Sequence, residues 1–240
     1  MSFDPGNRVI VALDVPTRRD ADDLVRRLGG AASWLKIGLE LFTAAGPQIV
    51  KDYVAAGARI MLDLKLHDIP QTVERATAAV AGLGAELLTI HAAGGRPMME
   101  AAVKSARASG HMRVLAVTVL TSMDDADLVA TGQVGPSMKL VMDRAKLARE
   151  SGCDGVVSSA LEAALIRTLA PEPFLIVTPG IRFMGAERES QTLSGDQKRI
   201  ASPRSARRSG ADLIVVGRPV RDAEDPAAAA RAIAHDVASV

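Results

Sequence analysis

Leu62-Asp63-Leu64-Lys65-Leu66-His67-Asp68-Ile69-Pro70 sets opposite charges into a segment otherwise built like a buried β-strand. Side chains alternate faces along a strand, so Leu62, Leu64 and Leu66 share one face and Asp63 and Lys65 the other. An apolar face backed by an ion pair is a poor arrangement for a purely structural strand, because buried charges are costly unless paired or used. Asp68 follows where the strand should end, and Ile69-Pro70 turns the chain toward a helical pattern from Val73 to Leu83.

Outward from this stretch the same unit, short apolar run then amphipathic run, recurs along the whole chain. Strands are expected at Val9 to Leu13, Trp34 to Ile37, Arg59 to Lys65, Leu87 to His91, Arg113 to Thr118, Gly155 to Ser158, Phe174 to Thr178 and Asp212 to Val216. Helical spacing occupies Arg18 to Leu28, Pro47 to Ala56, Pro97 to Ala108, Lys139 to Glu150, Leu161 to Leu169, Pro203 to Arg208 and Pro226 to Val240. Gly29, Gly57, Gly84, Gly110, Gly152 and Gly210 fall shortly before strands, where a left-handed helix cap suits glycine. Eight such units in 240 residues predict a single-domain (β/α)8 TIM barrel spanning residues 1–240. The alternative, an open doubly wound sheet, lacks its usual glycine fingerprint after the first strand.

Composition narrows the function. The chain is 48% hydrophobic but only 2% aromatic, so its core must be aliphatic. A net charge of +1 gives no case for nucleic acid or a membrane surface as partner. The single cysteine, Cys153, rules out an internal disulfide and a cysteine-rich zinc site, and reads as a small buried hydrophobe. The N-terminus has no signal-peptide pattern, and apolar runs stay short of the ~20 residues of a membrane helix. A cytoplasmic protein is expected.

Barrels of this class carry their active site at the C-terminal ends of the strands, and the polar residues collect there. Asp14, Lys36, the Asp63/Lys65/Asp68 set, His91, and Thr118 with Thr121 and Ser122 all fall at or near those ends. Thr178-Pro179-Gly180-Ile181-Arg182 leaves the seventh strand and Gly217-Arg218-Pro219 the eighth. Loops after these two strands commonly bind phosphate; glycine lets backbone N–H groups approach the oxygens and arginine adds a charge-assisted fork. A phosphorylated small molecule is implied. Packed together, Asp14, Lys36, Asp63, Lys65 and Asp68 would hold one another ionised, and a fixed ammonium could protonate a carbon that becomes anionic.

On these residues the chain resembles the orotidine 5′-phosphate decarboxylase family along essentially its whole length. Asp63-Leu64-Lys65-Leu66-His67-Asp68-Ile69-Pro70 with Thr72 is the specific signature. Leu120-Thr121-Ser122, Thr178-Pro179-Gly180-Ile181-Arg182 and Gly195-Asp196-Gln197-Lys198-Arg199 support it. The resemblance implies a metal-free lyase that converts orotidine 5′-phosphate to UMP and carbon dioxide, without a cofactor. Lys65 would protonate C6, and Asp63 would sit beside the scissile carboxylate. Asp14 and Lys36 would hold the ribose, with Lys36 and Asp68 completing the catalytic charges. Thr121 or Ser122 would meet the pyrimidine edge. Arg182, Gly217 and Arg218 would hold the phosphate, Pro179 would be a further substrate-binding residue, and Gln197 would bridge phosphate and base. The resemblance further implies a homodimer in which Asp68, Ile69 and Thr72 reach the neighbouring site.

The chain departs from the family pattern in a long stretch from Arg182 to Gln197, which makes Gln191 a rival to Gln197, and in Gln71, where Asn is commoner. His91 and His67 read as packing and orienting residues, because Lys65 already fills the proton-donor role, and Glu40 as a rim charge. Magnesium-dependent sister enzymes share Asp-x-Lys-x-x-Asp but follow it with Ala-Gly, so Ile69-Pro70 speaks against them. A non-catalytic binder on the same fold should have lost one of the five charges, all of which are present.

Overall fold

The computed structural model describes residues 8–182 and 201–240. Eight parallel strands close on themselves in chain order: β1 (Val9–Ala12), β2 (Trp34–Gly38), β3 (Arg59–Leu66), β4 (Leu87–His91), β5 (Arg113–Val117), β6 (Gly155–Val157), β7 (Leu175–Thr178) and β8 (Leu213–Val216), with β8 pairing β1. The expected (β/α)8 barrel is the observed architecture.

Helices pack outside the strands: α1 (Arg18–Leu28), α2 (Leu39–Ala45), α3 (Gln48–Ala55), α4 (Pro70–Ala81), α5 (Gly95–Ser109), α6 (Asp125–Ala130), α7 (Ser137–Glu150), α8 (Ala160–Leu169), α9 (Pro203–Arg208), α10 (Arg218–Arg221) and α11 (Pro226–Ala238). Three of these depart from the sequence reading. A second helix, α2, fills the β2–α3 connection. The polar stretch after β5 contains α6, started by a reciprocal capping box between Asp124 and Asp127. The Gly217-Arg218-Pro219 loop winds into the one-turn α10. Each is too short for a 3.6-residue periodicity to register. Helix α4 starts at Pro70 rather than at Val73, because proline is preorganised for the first helical position. All six expected capping glycines have positive φ; at Gly29 (φ 52) the N–H returns to the carbonyls of Val25 and Arg26 at the end of α1.

Two apolar layers follow from strand alternation. Ile10, Trp34, Met61, Leu87, Leu115 and Leu213 fill the barrel interior, while their neighbours in sequence face the helices. Both layers are mainly aliphatic, as the composition required. Cys153 is buried, and burial pushes its thiol up to about 12, leaving it an inert hydrophobe. Among the described residues no helix is long and apolar enough to cross a membrane.

Candidate active site

Strand register assembles the charges. Ala12, Lys36 and Met61 are paired across β1, β2 and β3, so the next inward positions are Asp14, Gly38 and Asp63. The Lys36 side chain rises from the layer below into the space that Gly38 leaves. A Cβ at Gly38 would lie 3.2 Å from Lys36 Nζ and 3.4 Å from Asp14 Oδ1. Lys36 Nζ donates to Asp14 Oδ1 at 2.7 Å and lies 3.6 Å from Asp63 Oδ2. Lys65 Nζ donates to the same Asp63 oxygen at 2.8 Å. The result is a continuous run, Asp14–Lys36–Asp63–Lys65, of alternating sign. Burial alone would raise the pKa of Asp63; the charges of Lys36 and Lys65, with hydrogen bonds from Lys65 and Thr89, more than offset it and hold the carboxyl below its usual range.

Strand β3 is not regular through this run. Leu62 pairs with Leu88 but Leu66 with Ile90, so the register against β4 slips across Asp63-Leu64-Lys65. Lys65 takes φ 50, the only positive φ of a non-glycine residue among the described residues. Such a conformation costs on the order of 1–3 kcal/mol, persists only where the surrounding structure over-determines it, and clusters at active sites.

These charges line one wall of a cavity of about 560 Å³ at the C-terminal mouth of the barrel. Met61, Val117, Val157 and Val215, the top of the interior layer, form its apolar floor. Thr121, Ser122, Pro179, Arg182, Gly217 and Arg218 also line it, so the structure brings these six together with Asp14, Lys36, Asp63 and Lys65. Asp68, Ile69 and Thr72 stand outside the cavity of their own chain, exposed on its rim; the Asp68 carboxylate accepts the Ile69 N–H. The charge cluster of one chain therefore holds four of the five expected members, because the turn into α4 carries Asp68 outward. Gln197, Gln191 and the Gly195-Asp196-Gln197-Lys198-Arg199 segment lie outside the described residues.

Several supporting groups escaped the sequence reading. Arg221 lines the cavity, donates to the Asp14 carbonyl at 2.8 Å and is held by Asp222. Arg144 of α7 donates to the Thr118 carbonyl at 2.7 Å, securing the end of β5 just before Thr121. Thr89 of β4 touches both Asp63 and Lys65. Its inward, fully buried position follows from alternation with Leu87, yet nothing local marks it. His91 is half-buried with its ring 5.4 Å from His67, and burial, helped by the charges of His67, Lys65 and Arg144, pushes it down to about 4. It is neutral at pH 7 and fits a packing role.

The family model described as orotidine 5′-phosphate decarboxylase / HUMPS matches residues 7–233. The chain belongs to this family. Among relatives, the orotidine 5′-phosphate decarboxylase of Anaeromyxobacter sp. (strain K) is 51% identical over 231 residues, covering 96% of this chain and 98% of that protein. That of Methylobacterium sp. (strain 4-46) is 48% identical over 237 residues, 98% of this chain and 97% of the relative. The crystal structure of orotidine 5′-phosphate decarboxylase from Lactobacillus acidophilus superposes with a TM-score of 0.84 at 37% identity, covering 96% of this chain and 99% of the other. Within the family these relatives carry the decarboxylase name.

Proposed function

We propose that this chain, as one catalytic domain over residues 1–240, decarboxylates orotidine 5′-phosphate to UMP in pyrimidine biosynthesis, without a metal and as a cytoplasmic homodimer. The observation that carries the reading is the Asp14–Lys36–Asp63–Lys65 run along the wall of a cavity that Arg182 and Arg218 also line.

The phosphate would sit between Arg182 and Arg218, beside the Gly217 backbone. Asp14 and Lys36 would take the ribose hydroxyls, Thr121 or Ser122 the pyrimidine edge, with Pro179 packed beside it and Gln197 bridging base and phosphate. Asp63, kept ionised by its lysines, would lie beside the substrate carboxylate. As the bond from C6 to the carboxylate breaks, its electron pair stays on C6 and carbon dioxide leaves. The Lys65 ammonium stabilises that carbanion and gives it a proton, ending as the amine, which recovers a proton from water after product release. The apolar floor strengthens these interactions by keeping water away. Asp68, Ile69 and Thr72, on the rim of one chain, would complete the site of the partner subunit.

The test is conversion of orotidine 5′-phosphate, followed by pyrimidine absorbance, with EDTA present and Lys65→Ala alongside. Chelator-insensitive turnover is expected, and a loss on the order of 10⁴-fold or more in the variant. Turnover that vanishes with EDTA would overturn the metal-free mechanism, and no turnover in the wild type would replace this reading with a metal-dependent sugar-phosphate reaction.

A further inference from the structure

The Thr89 hydroxyl uses both of its hydrogen-bonding roles on the two reacting side chains' own residues. It donates to Asp63 Oδ1 at 2.9 Å and accepts the Lys65 backbone N–H at 2.9 Å. The second contact matters because the register slip removes this part of β3 from the regular ladder with β4, leaving its N–H groups in need of another acceptor. The first fixes the rotation of the Asp63 carboxylate, so that its other oxygen, Oδ2, faces Lys65 Nζ at 2.8 Å and Lys36 Nζ at 3.6 Å. Thr89 itself is fully buried. One hydroxyl therefore ties the left-handed backbone of the proton donor to the orientation of the carboxylate beside it.

We infer that Thr89 is a positioning residue for the decarboxylation, setting the geometry between Asp63 and Lys65 without touching substrate; the inference rests on the decarboxylase reading above. Valine has nearly the same shape and lacks both hydrogen-bonding roles, whereas serine keeps them.

The experiment compares wild type, Thr89→Val, Thr89→Ala and Thr89→Ser as full chains. It reads kcat and KM for orotidine 5′-phosphate, Kd for UMP by calorimetry, and hydrogen exchange of the Lys65 amide. Thr89→Val should lose kcat on the order of 10²-fold, since small displacements of reacting groups cost that much. UMP affinity should stay within about threefold, because the ribose and phosphate contacts are untouched, and Thr89→Ser should recover kcat to within about threefold of wild type. The Lys65 amide should exchange faster in Thr89→Val and not in Thr89→Ser. Thr89→Ala provides a second hydroxyl-free chain should the valine variant fold poorly. An active wild type with unchanged kcat in both hydroxyl-free variants overturns the positioning role and leaves the decarboxylase reading intact. A Thr89→Ser variant as impaired as Thr89→Val, or equal losses in kcat and UMP affinity, also overturns it, marking Thr89 as structural. A wild type that never turns over the substrate overturns the decarboxylase reading, and the positioning role with it.

Discussion

At the N-terminal end of the barrel, Arg59 holds Glu86 through two hydrogen bonds of 2.8 and 2.6 Å and stacks on Trp34 at 4.1 Å. Arg167 donates to Asp212 at 2.6 Å, and the same carboxylate oxygen accepts the Ile176 N–H at 2.8 Å. Asp154 likewise accepts the Val114 N–H. At the C-terminal end, Lys36 and Lys65 converge on one oxygen of Asp63, and the charges line an open cavity. The bottom spends its charges on closing strand ends and neighbouring helices, in geometries that hydrogen bonds saturate. The top alternates charges along an open cavity and holds a lysine in a left-handed conformation that costs stability, and the arrangement supplies a preorganised field. The same residue types thus mean structure at one end of a strand and chemistry at the other.

Variants at the two ends should separate activity from stability. Lys36→Met should lower kcat/KM on the order of 10²–10³-fold, as loss of one preorganised charge does. Retained activity with a large fall in Tm would erase the contrast. Asp212→Ala removes the partner of Arg167 and of the Ile176 N–H, and should cost about 2–4 kcal/mol in urea denaturation. Its kcat at 25 °C should stay within about twofold of wild type, because Asp212 precedes β8 at the end of the barrel away from the cavity; a larger drop would show the two ends to be coupled. Arg218→Ala should raise KM by about 10–100-fold, the worth of one or two charge-assisted hydrogen bonds to phosphate. Inorganic phosphate or UMP competition would check this, and an unchanged KM would remove Arg218 from the phosphate site.

The smallest expected effect is the pH dependence of stability. His91 is held at about 4 in the folded chain against 6.5 for a free histidine, so between those values the unfolded chain binds a proton that the folded one refuses. Stability should fall as pH drops through that window. Asp63, lowered in the folded chain, contributes stability above the ordinary carboxylate pKa and loses it at still lower pH. His91→Phe should flatten the upper part of the curve by on the order of 1 kcal/mol, solvent screening of a half-exposed ring having reduced the full effect. Tm measured against pH for both proteins decides it, and parallel curves would mean that the histidine titrates freely.

The sequence determined the eight strand–helix units, the capping glycines and the shared face of Asp63 and Lys65, because each depends on a periodicity or a turn preference that a few neighbouring residues carry. It also placed the polar groups at the strand ends that line the cavity. Only the closed barrel decided which of those ends meet in one layer. Register across β1, β2 and β3 put Lys36 between Asp14 and Asp63 and made the bare backbone of Gly38 necessary. The slip against β4 twisted Lys65 into its left-handed conformation and called on Thr89, 24 residues away, to satisfy it. Arg221 meets the Asp14 carbonyl across 207 residues of chain for the same reason. A period of two is a local property of a strand, whereas register is set by closing strands that are far apart in sequence, so which charge each one meets across strands was written only in the tertiary structure.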